Sequence, residues 1–347
     1  MPISSHPILV TGASGFVAIH CIAQLLEQGY TMRGTLRTMS RENEVRETLR
    51  QFVNADERLK FINIDLSTDT NWSEAVRDCE YVLHVASPFP LLNPAHEDEL
   101  IKPAVEGTLR VLSAAHNAGV KRVVLVSSNA AISAGHTGEN RTFTENDWSR
   151  LDKPIGAYSK SKTLAERAAW DFVNSTENTR KLELATINPP FIYGPVPNKD
   201  FPTSAELVRT FLQGDVPGVA RIKMGFVDVR DVASAMILAL TTPAAAGERF
   251  LISGGTMWIK DIADLLTKHY AERGFKKIPR LLLPTWLLHI LAVFDKRIAL
   301  VIPSLNWDYE LSNEKAKRIL GWNPRPKEEA ILAMAESLIE QELVKGR

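Results

Sequence analysis

Tyr158 and Lys162 stand four residues apart in the run Ala157-Tyr158-Ser159-Lys160-Ser161-Lys162. On a helix that spacing puts a phenol and an ammonium on one face. A free phenol ionises near pH ~10 and is a poor acid or base at neutral pH. A neighbouring ammonium favours the phenolate and lowers that value, so the pair can exchange a proton with a reacting group. Upstream, the apolar run Val123-Val124-Leu125-Val126 ends in Ser127-Ser128. A serine hydroxyl held at a strand end can hydrogen-bond an oxygen on which charge develops. The chain has 6 tyrosines, enough for a Tyr-x-x-x-Lys pair to arise by chance, so the pair counts only in context. Lys160, two residues from Tyr158, faces elsewhere.

The context begins near the N-terminus. A strand-like Ile8-Leu9-Val10 runs into the turn Gly12-Ala13-Ser14-Gly15-Phe16-Val17-Ala18. A strand that turns sharply into a helix offers backbone N–H groups and a positive dipole end to a diphosphate. Gly12 permits the turn, Gly15 allows close approach, and Ala18 lets the helix pack on the strand. Gly12, Ala13, Ser14, Gly15, Phe16 and Val17 are therefore the candidate dinucleotide cradle. After the second strand the chain reads Arg33-Gly34-Thr35-Leu36-Arg37, with no carboxylate until Glu42. A carboxylate there would favour NAD, whereas a guanidinium suits the 2′-phosphate of NADP. Arg37 is the expected contact, with NADP(H) favoured over NAD(H). Asp65 and Leu66 follow the third strand, where they either touch the adenine or, for Asp65, cap a helix.

These residues need a scaffold. Residues 8–10, 31–36, 60–64, 81–85, 123–127 and 182–188 are near-continuous apolar runs, which suits parallel strands covered on both faces. Helices are expected between them, for example over 16–28, 101–118 and 158–174, with Gly29 and Gly119 closing the first two. Past Asn188 the prolines mark a loop, and 201–225 reads as irregular. A helix over 232–240 and a strand over 250–253 are expected to return to the sheet. The rest, from about Gly254, reads as helices separated by prolines. The expectation is an α/β, doubly wound parallel sheet with right-handed crossovers, plus a smaller, mostly helical substrate-binding part. Residues 1–188 and 226–253 fall in the first, and 189–225 and 254–347 in the second.

Composition narrows the classes further. Lys+Arg and Asp+Glu are both 41, so the formal net charge is zero and nucleic acid is not an expected partner. Cys21 and Cys79 fit no metal or disulfide spacing, and neither do His20, His96 and His116, so no metal is expected and a reduced, cytoplasmic setting is. Residues 1–7 lack the basic and apolar regions of a signal peptide. The stretch 281–294 is the most apolar. It is broken by Pro284, too short to span a bilayer, and reads as a buried or pocket-lining helix, with a membrane-associated helix as the rival reading. His84 reads as a satisfied core histidine, and Trp322 as an anchor for the C-terminal part. A small-molecule carbonyl substrate and a monomer or homodimer are expected.

Several stretches together resemble the extended short-chain dehydrogenases/reductases, in the branch of dihydroflavonol reductases and aldehyde or ketone reductases. They are Val10-Thr11-Gly12-Ala13-Ser14-Gly15-Phe16, Arg33-Gly34-Thr35-Leu36-Arg37, His84-Val85-Ala86-Ser87-Pro88-Phe89, Val126-Ser127-Ser128, Tyr158 to Glu166, Asn188-Pro189 with Gly194-Pro195, and Val227-Asp228-Val229-Arg230-Asp231-Val232-Ala233. The resemblance implies a Rossmann fold and hydride transfer from NADPH to a carbonyl, with Tyr158 as proton donor and Ser128 and Lys162 as its partners. It also implies that Val85, Ala86, Ser87 and Ser127 line the cofactor and that Pro189 and Ile192 flank the nicotinamide. Ser133, in the run Asn129-Ala130-Ala131-Ile132-Ser133, lies where flavonoid-reducing members read ring hydroxyls, and Asn129 is a further substrate candidate there. Ser133 replaces their Asn or Asp, so flavonoid specificity is not implied. Met236 stands where many relatives have histidine and reads as packing. Phe89, Phe191, Tyr193, Met224 and Phe226 either line an apolar substrate pocket or belong to the core. Two rival readings stay open. One is a nucleotide-sugar epimerase/dehydratase, with Arg209, Arg221 and Lys223 as its lid bases, or a hydroxysteroid dehydrogenase. The other is a non-enzymatic nicotinamide sensor.

Overall fold

The computed structural model describes residues 6–54, 57–87 and 96–346. Its strands are β1 (Ile8–Val10), β2 (Met32–Leu36), β3 (Leu59–Asn63), β4 (Tyr81–His84), β5 (Arg122–Val126), β6 (Thr142–Phe143), β7 (Glu183–Asn188), β8 (Phe191–Tyr193), β9 (Lys223–Asp228), β10 (Glu248–Leu251), β11 (Gly255–Trp258) and β12 (Glu310–Leu311). The helices are α1 (Phe16–Glu27), α2 (Glu42–Arg50), α3 (Trp72–Ala75), α4 (Asp98–Ala118), α5 (Gly156–Asn174), α6 (Ala205–Gln213), α7 (Val229–Thr241), α8 (Ile259–Tyr270), α9 (Thr285–Phe294), α10 (Lys296–Val301), α11 (Glu314–Leu320) and α12 (Lys327–Glu340).

Seven strands form one parallel sheet in the order β10-β7-β5-β4-β1-β2-β3. Side chains alternate across a strand, so an unbroken apolar run feeds two cores. Ile8, Val10, Leu83 and Val124 pack on one face with α1 and α7. Leu9, Val82, Val123 and Leu184 pack on the other with α4 and α5. The strand order reverses between β1 and β4, which opens a crevice at the C-terminal ends of the strands. The glycine turn leaves β1 there, Val85-Ala86-Ser87 leaves β4, Ser127-Ser128 leaves β5, and Asn188-Pro189 lies at the end of β7.

A third core gathers Val208 and Phe211 of α6, Ile262 and Leu266 of α8, and Ile331, Met334 and Leu338 of α12 around Phe226. Its small sheet, β11-β9-β8, pairs β8 with β9 in parallel and β9 with β11 antiparallel.

Three expectations are corrected here. Residues 205–213, read as irregular, form α6. Ala205, Val208, Phe211 and Leu212 make its buried stripe, and Gly214 closes it at φ +70°. The region after Gly254 opens with strand β11 rather than a helix. The apolar helix α9 is not buried. Pro284 precedes it, Leu288 is its buried residue, and Trp286, Val293 and Phe294 are exposed, while among the described elements it packs chiefly on α10. No helix among the described residues is long and apolar enough to cross a membrane.

Candidate active site

The glycine turn is fixed by its neighbours. Gly12 has φ +66°, and a Cβ on it would lie 3.0 Å from the Cβ of Ala86. Only glycine fits that approach. The Gly12 N–H donates to Thr35 Oγ1 at 2.9 Å, and Ala13 N donates to Thr35 O at 2.9 Å. Gly34 of β2 allows this contact, since a Cβ there would meet Ala13 Cβ at 2.9 Å. Thr11 Oγ1 accepts from Val85 N and Ala86 N, both at 3.0 Å, and lies 2.9 Å from His84 Nδ1. Having accepted twice, the hydroxyl uses its proton on His84 Nδ1. Thr11 and Thr35 therefore bolt together the ends of β1, β2 and β4.

Gly15 caps α1 with extended backbone, φ −80°, and no side chain caps that helix. A Cβ on Gly15 would meet only Gly12 O, at 3.2 Å. The first N–H groups of the helix thus face an uncrowded surface, as a diphosphate requires. The residues present fit a dinucleotide. Ser14 and Phe16 are half-buried, while Ala13 and Val17 are buried beneath the turn.

Arg37 is exposed just past β2. Arg41, one turn further and not anticipated from sequence, points its Nη1 at Ser14 Oγ (3.4 Å) and pairs with Glu44 (2.7 Å) and Asp200 (2.8 Å). Its four-residue spacing from Arg37 was the available signal. Arg33 turns the other way and donates to the carbonyls of Glu74, Ala75 and Arg77. Asp65 accepts from Ser67 N at 2.8 Å and Ser67 Oγ at 2.7 Å. It stabilises a turn rather than capping a helix, and these bonds hold its carboxyl below the usual range. Leu66 packs against Gly107 of α4.

The Tyr158/Lys162 face of α5 meets the ends of β4 and β5. Tyr158 is half-buried and its hydroxyl hydrogen-bonds Ser128. The Ser128 Oγ also accepts from Ala130 N at 3.1 Å, which caps the short turn Asn129–Ala131. Lys162 is buried and donates to Ser87 Oγ at 3.0 Å. Burial pushes the Lys162 ammonium down to about 8, against the opposing pull of Glu166. Burial also raises the Tyr158 phenol, and the Ser128 bond only partly offsets it. This corrects the expected direction for Tyr158. The phenol is desolvated more than it is helped by the Ser128 hydrogen bond, so it stays protonated at neutral pH. Lys160 does face elsewhere, pairing with Glu97 at 2.6 Å. His84 is a buried core residue pushed down to about 3 by burial and by the Lys162 charge.

Ser127 Oγ donates to Glu166 at 2.5 Å, so it is engaged behind the site. Asn129 Nδ2 donates to Ser133 Oγ at 2.9 Å, and Asn129 N donates to Pro189 O at 2.8 Å, which draws the β5 and β7 ends together. Phe191 is exposed, and Ile192 and Met224 are half-buried. Tyr193 and Phe226 are corrected as pocket candidates. Their rings meet edge to face at 6.5 Å inside the third core, where side chains of α6, α8 and α12 cover them. Phe89 lies outside the described residues. Met236 is fully buried against Cys21, as packing. Trp322 donates to Asp231 O at 2.9 Å and anchors the segment after α11 onto α7. Among the described residues no group of three or more His, Cys, Asp or Glu is arranged to hold a metal.

The sequence model of the NAD dependent epimerase/dehydratase family matches residues 8–253. Cinnamoyl-CoA reductase CAD2 of Medicago truncatula is 35% identical over 344 residues, covering 96% of each chain. The fold superposes on yeast methylglyoxal/isovaleraldehyde reductase Gre2 complexed with NADPH with a TM-score of 0.81, at 27% identity over 97% of this chain and 99% of that one. Gre2 of Candida albicans, also an NADPH complex, gives a TM-score of 0.79 at 30% identity, over 98% and 99%.

Proposed function

The chain belongs to the NAD-dependent epimerase/dehydratase family, and we propose that it uses NADPH to reduce a ketone or aldehyde to an alcohol. The observation that carries this reading is the meeting of Tyr158, Ser128 and Lys162 beside an uncrowded glycine turn. The NADPH complexes of Gre2 and the likeness to a cinnamoyl-CoA reductase support it.

When bound, NADPH supplies the hydride. The turn 12–17 holds its diphosphate, Arg37 meets the 2′-phosphate with Arg41 beside it, and Asp65 and Leu66 meet the adenine. Val85, Ala86 and Ser87 line one side, while Pro189 and Ile192 flank the nicotinamide end. Lys162, steadied by Ser87, holds the ribose hydroxyls. Ser128 hydrogen-bonds the carbonyl oxygen and stabilises the negative charge that develops on it. Tyr158 then gives that oxygen its proton, and the protonated state favoured by burial suits a donor. Residues 1–188 and 226–253 carry the cofactor, and 189–225 with 254–347 bind the substrate, α11 and Trp322 riding on the sheet side.

A sugar-nucleotide substrate would need basic groups in the lid. Arg209 is bound to Glu206 and Gln213, Lys223 to Asp308 and Glu310, and Arg221 lies over the Trp258 ring at 4.6 Å. These commitments count against that reading. The test is a panel of aldehydes and ketones assayed in parallel with NADPH and NADH, with chiral analysis of the products. Carbonyl-dependent NADPH oxidation is expected. Product formed from sugar nucleotides without net cofactor consumption would overturn the assignment.

A further inference from the structure

Behind the site sits a carboxylate that this mechanism does not use. Glu166 is one turn beyond Lys162 on α5 and 1% exposed. Its Oε2 accepts from Ser127 Oγ at 2.5 Å and from Asn188 Nδ2 at 2.7 Å. Asn188 Nδ2 also donates to the backbone carbonyl of Ser128 at 3.2 Å. The other oxygen, Oε1, accepts from Arg249 Nε at 2.6 Å, Thr186 Oγ1 at 3.1 Å and Trp170 Nε1 at 3.3 Å. Arg249 is held in turn by the carbonyls of Glu145 (2.5 Å) and Asp147 (2.9 Å) and lies 3.7 Å over the Trp148 ring.

Burying a carboxylate is costly unless it is paired and fully hydrogen-bonded. Arg249 and four neutral donors meet that need. Ser127 adjoins Ser128 at the end of β5, Trp170 lies on α5 with Lys162, and Thr186 and Asn188 come from the neighbouring strand β7. A small chamber of about 10 Å³ is lined by His84, Ser127, Lys162 and Glu166 among others, so the ammonium and the carboxylate side chains border one space. The charged and titratable groups facing Lys162 are Tyr158 and Glu166 on its own helix and His84 on β4; Arg249 of β10 bears on Glu166.

We propose that Glu166 is a positioning residue of this site: it ties the end of β5 beneath Ser128 and sets a fixed negative charge behind the Lys162 ammonium. The proposal rests on the roles assigned above to Ser128 and Lys162. With Glu166 ionised, Lys162 keeps its proton through neutral pH. Without it, desolvation acts alone, and the ammonium is lost at lower pH.

The test is a pH titration of the full-length protein labelled with ¹³Cε-lysine, the Lys162 signal being assigned with Lys162→Arg. Wild-type Lys162 is expected to titrate near about 8. In Glu166→Gln, which keeps the shape and removes the charge, that midpoint falls by roughly one pH unit or more. The alkaline limb of kcat/KM moves with it, and Glu166→Asp restores part of both. Should Glu166→Gln not fold, the double variant Glu166→Gln/Arg249→Met also removes the guanidinium that the lost carboxylate paired, and takes the same titration with the same expected fall. A Lys162 that titrates as in wild type in the folded variant overturns the proposal, whatever its melting temperature. The titration needs no turnover. An inactive wild type with a shifted Lys162 would therefore sink the carbonyl reading alone.

Discussion

Replacing Gly12 and Gly15 separately by alanine splits the cradle into a structural and a binding contribution. In Gly12→Ala the residue must adopt φ +66°. For an L-residue that costs about 1–2 kcal/mol. The new methyl also lies 3.0 Å from Ala86 Cβ and 3.2 Å from Ala86 Cα, with backbone that cannot swing away. Overpacking of this kind adds roughly 1–3 kcal/mol. Reduced freedom of the unfolded chain offsets about 0.4–1 kcal/mol. The net loss is about 3 kcal/mol, read as a lower urea midpoint at unchanged m-value. The strain also pushes on Val85-Ala86-Ser87, so the contact between Lys162 and Ser87 loosens. Gly15→Ala behaves differently. Its φ of −80° suits any residue, and the methyl meets only Gly12 O. Stability should stay within about 0.5 kcal/mol. The methyl now occupies the space a diphosphate must enter, so NADPH affinity, read by fluorescence titration, falls tenfold or more. If Gly15→Ala binds NADPH like the wild type, or if Gly12→Ala is as stable as the wild type, the geometry assigned to the turn is wrong.

Further outcomes follow from the same structure. Arg37→Ser removes a charged hydrogen bond of about 1.5–3 kcal/mol, so the NADPH Kd rises roughly ten- to a hundredfold while the NADH Kd hardly changes; Arg41→Ala shifts the same ratio less. Carbonyl reduction declines as pH rises through about 8, where Lys162 loses its proton, measurable as a single-proton alkaline limb. Burial holds His20 near about 4 and His84 near about 3, below the free value of 6.5. Each therefore contributes stability that is complete above pH ~6.5 and is lost as pH falls toward the folded value, by about 2 kcal/mol apiece at pH 5. Urea unfolding at pH 7.5 and 5 should show this, with His20→Gln removing its share while keeping a donor to Pro195 O.

The sheet was legible because its central strands, β1, β4 and β5, are buried on both faces. Ile8-Leu9-Val10 and Val123-Val124-Leu125 are apolar throughout, and such runs have few other homes. Tyr158, Lys162 and Ser128 were legible because helix periodicity and one strand end bring them together. The small sheet was not. The partners of β8, β9 and β11 are set by tertiary pairing that no local pattern records. The stripe of α6 was present in the sequence but lay among prolines and glycines that argued for a loop. Fates that depend on burial also escaped. Tyr193 and Phe226 share a sheet face with Phe191, and only the packing of the third core over them decides which rings are buried. The raised Tyr158 phenol follows from desolvation, a tertiary quantity. The contacts of Arg41 with Ser14 and Asp200, and those of Glu166 with Ser127, Thr186, Asn188 and Arg249, join distant parts of the chain and are invisible to spacing.

The most direct measurement is the single-turnover rate of carbonyl reduction by Tyr158→Phe with NADPH bound. Removing one hydroxyl should cut that rate by roughly 10²- to 10⁴-fold, with NADPH affinity and near-UV circular dichroism unchanged. A rate within a few-fold of the wild type, in a folded variant that binds NADPH normally, would show that another group protonates the oxygen.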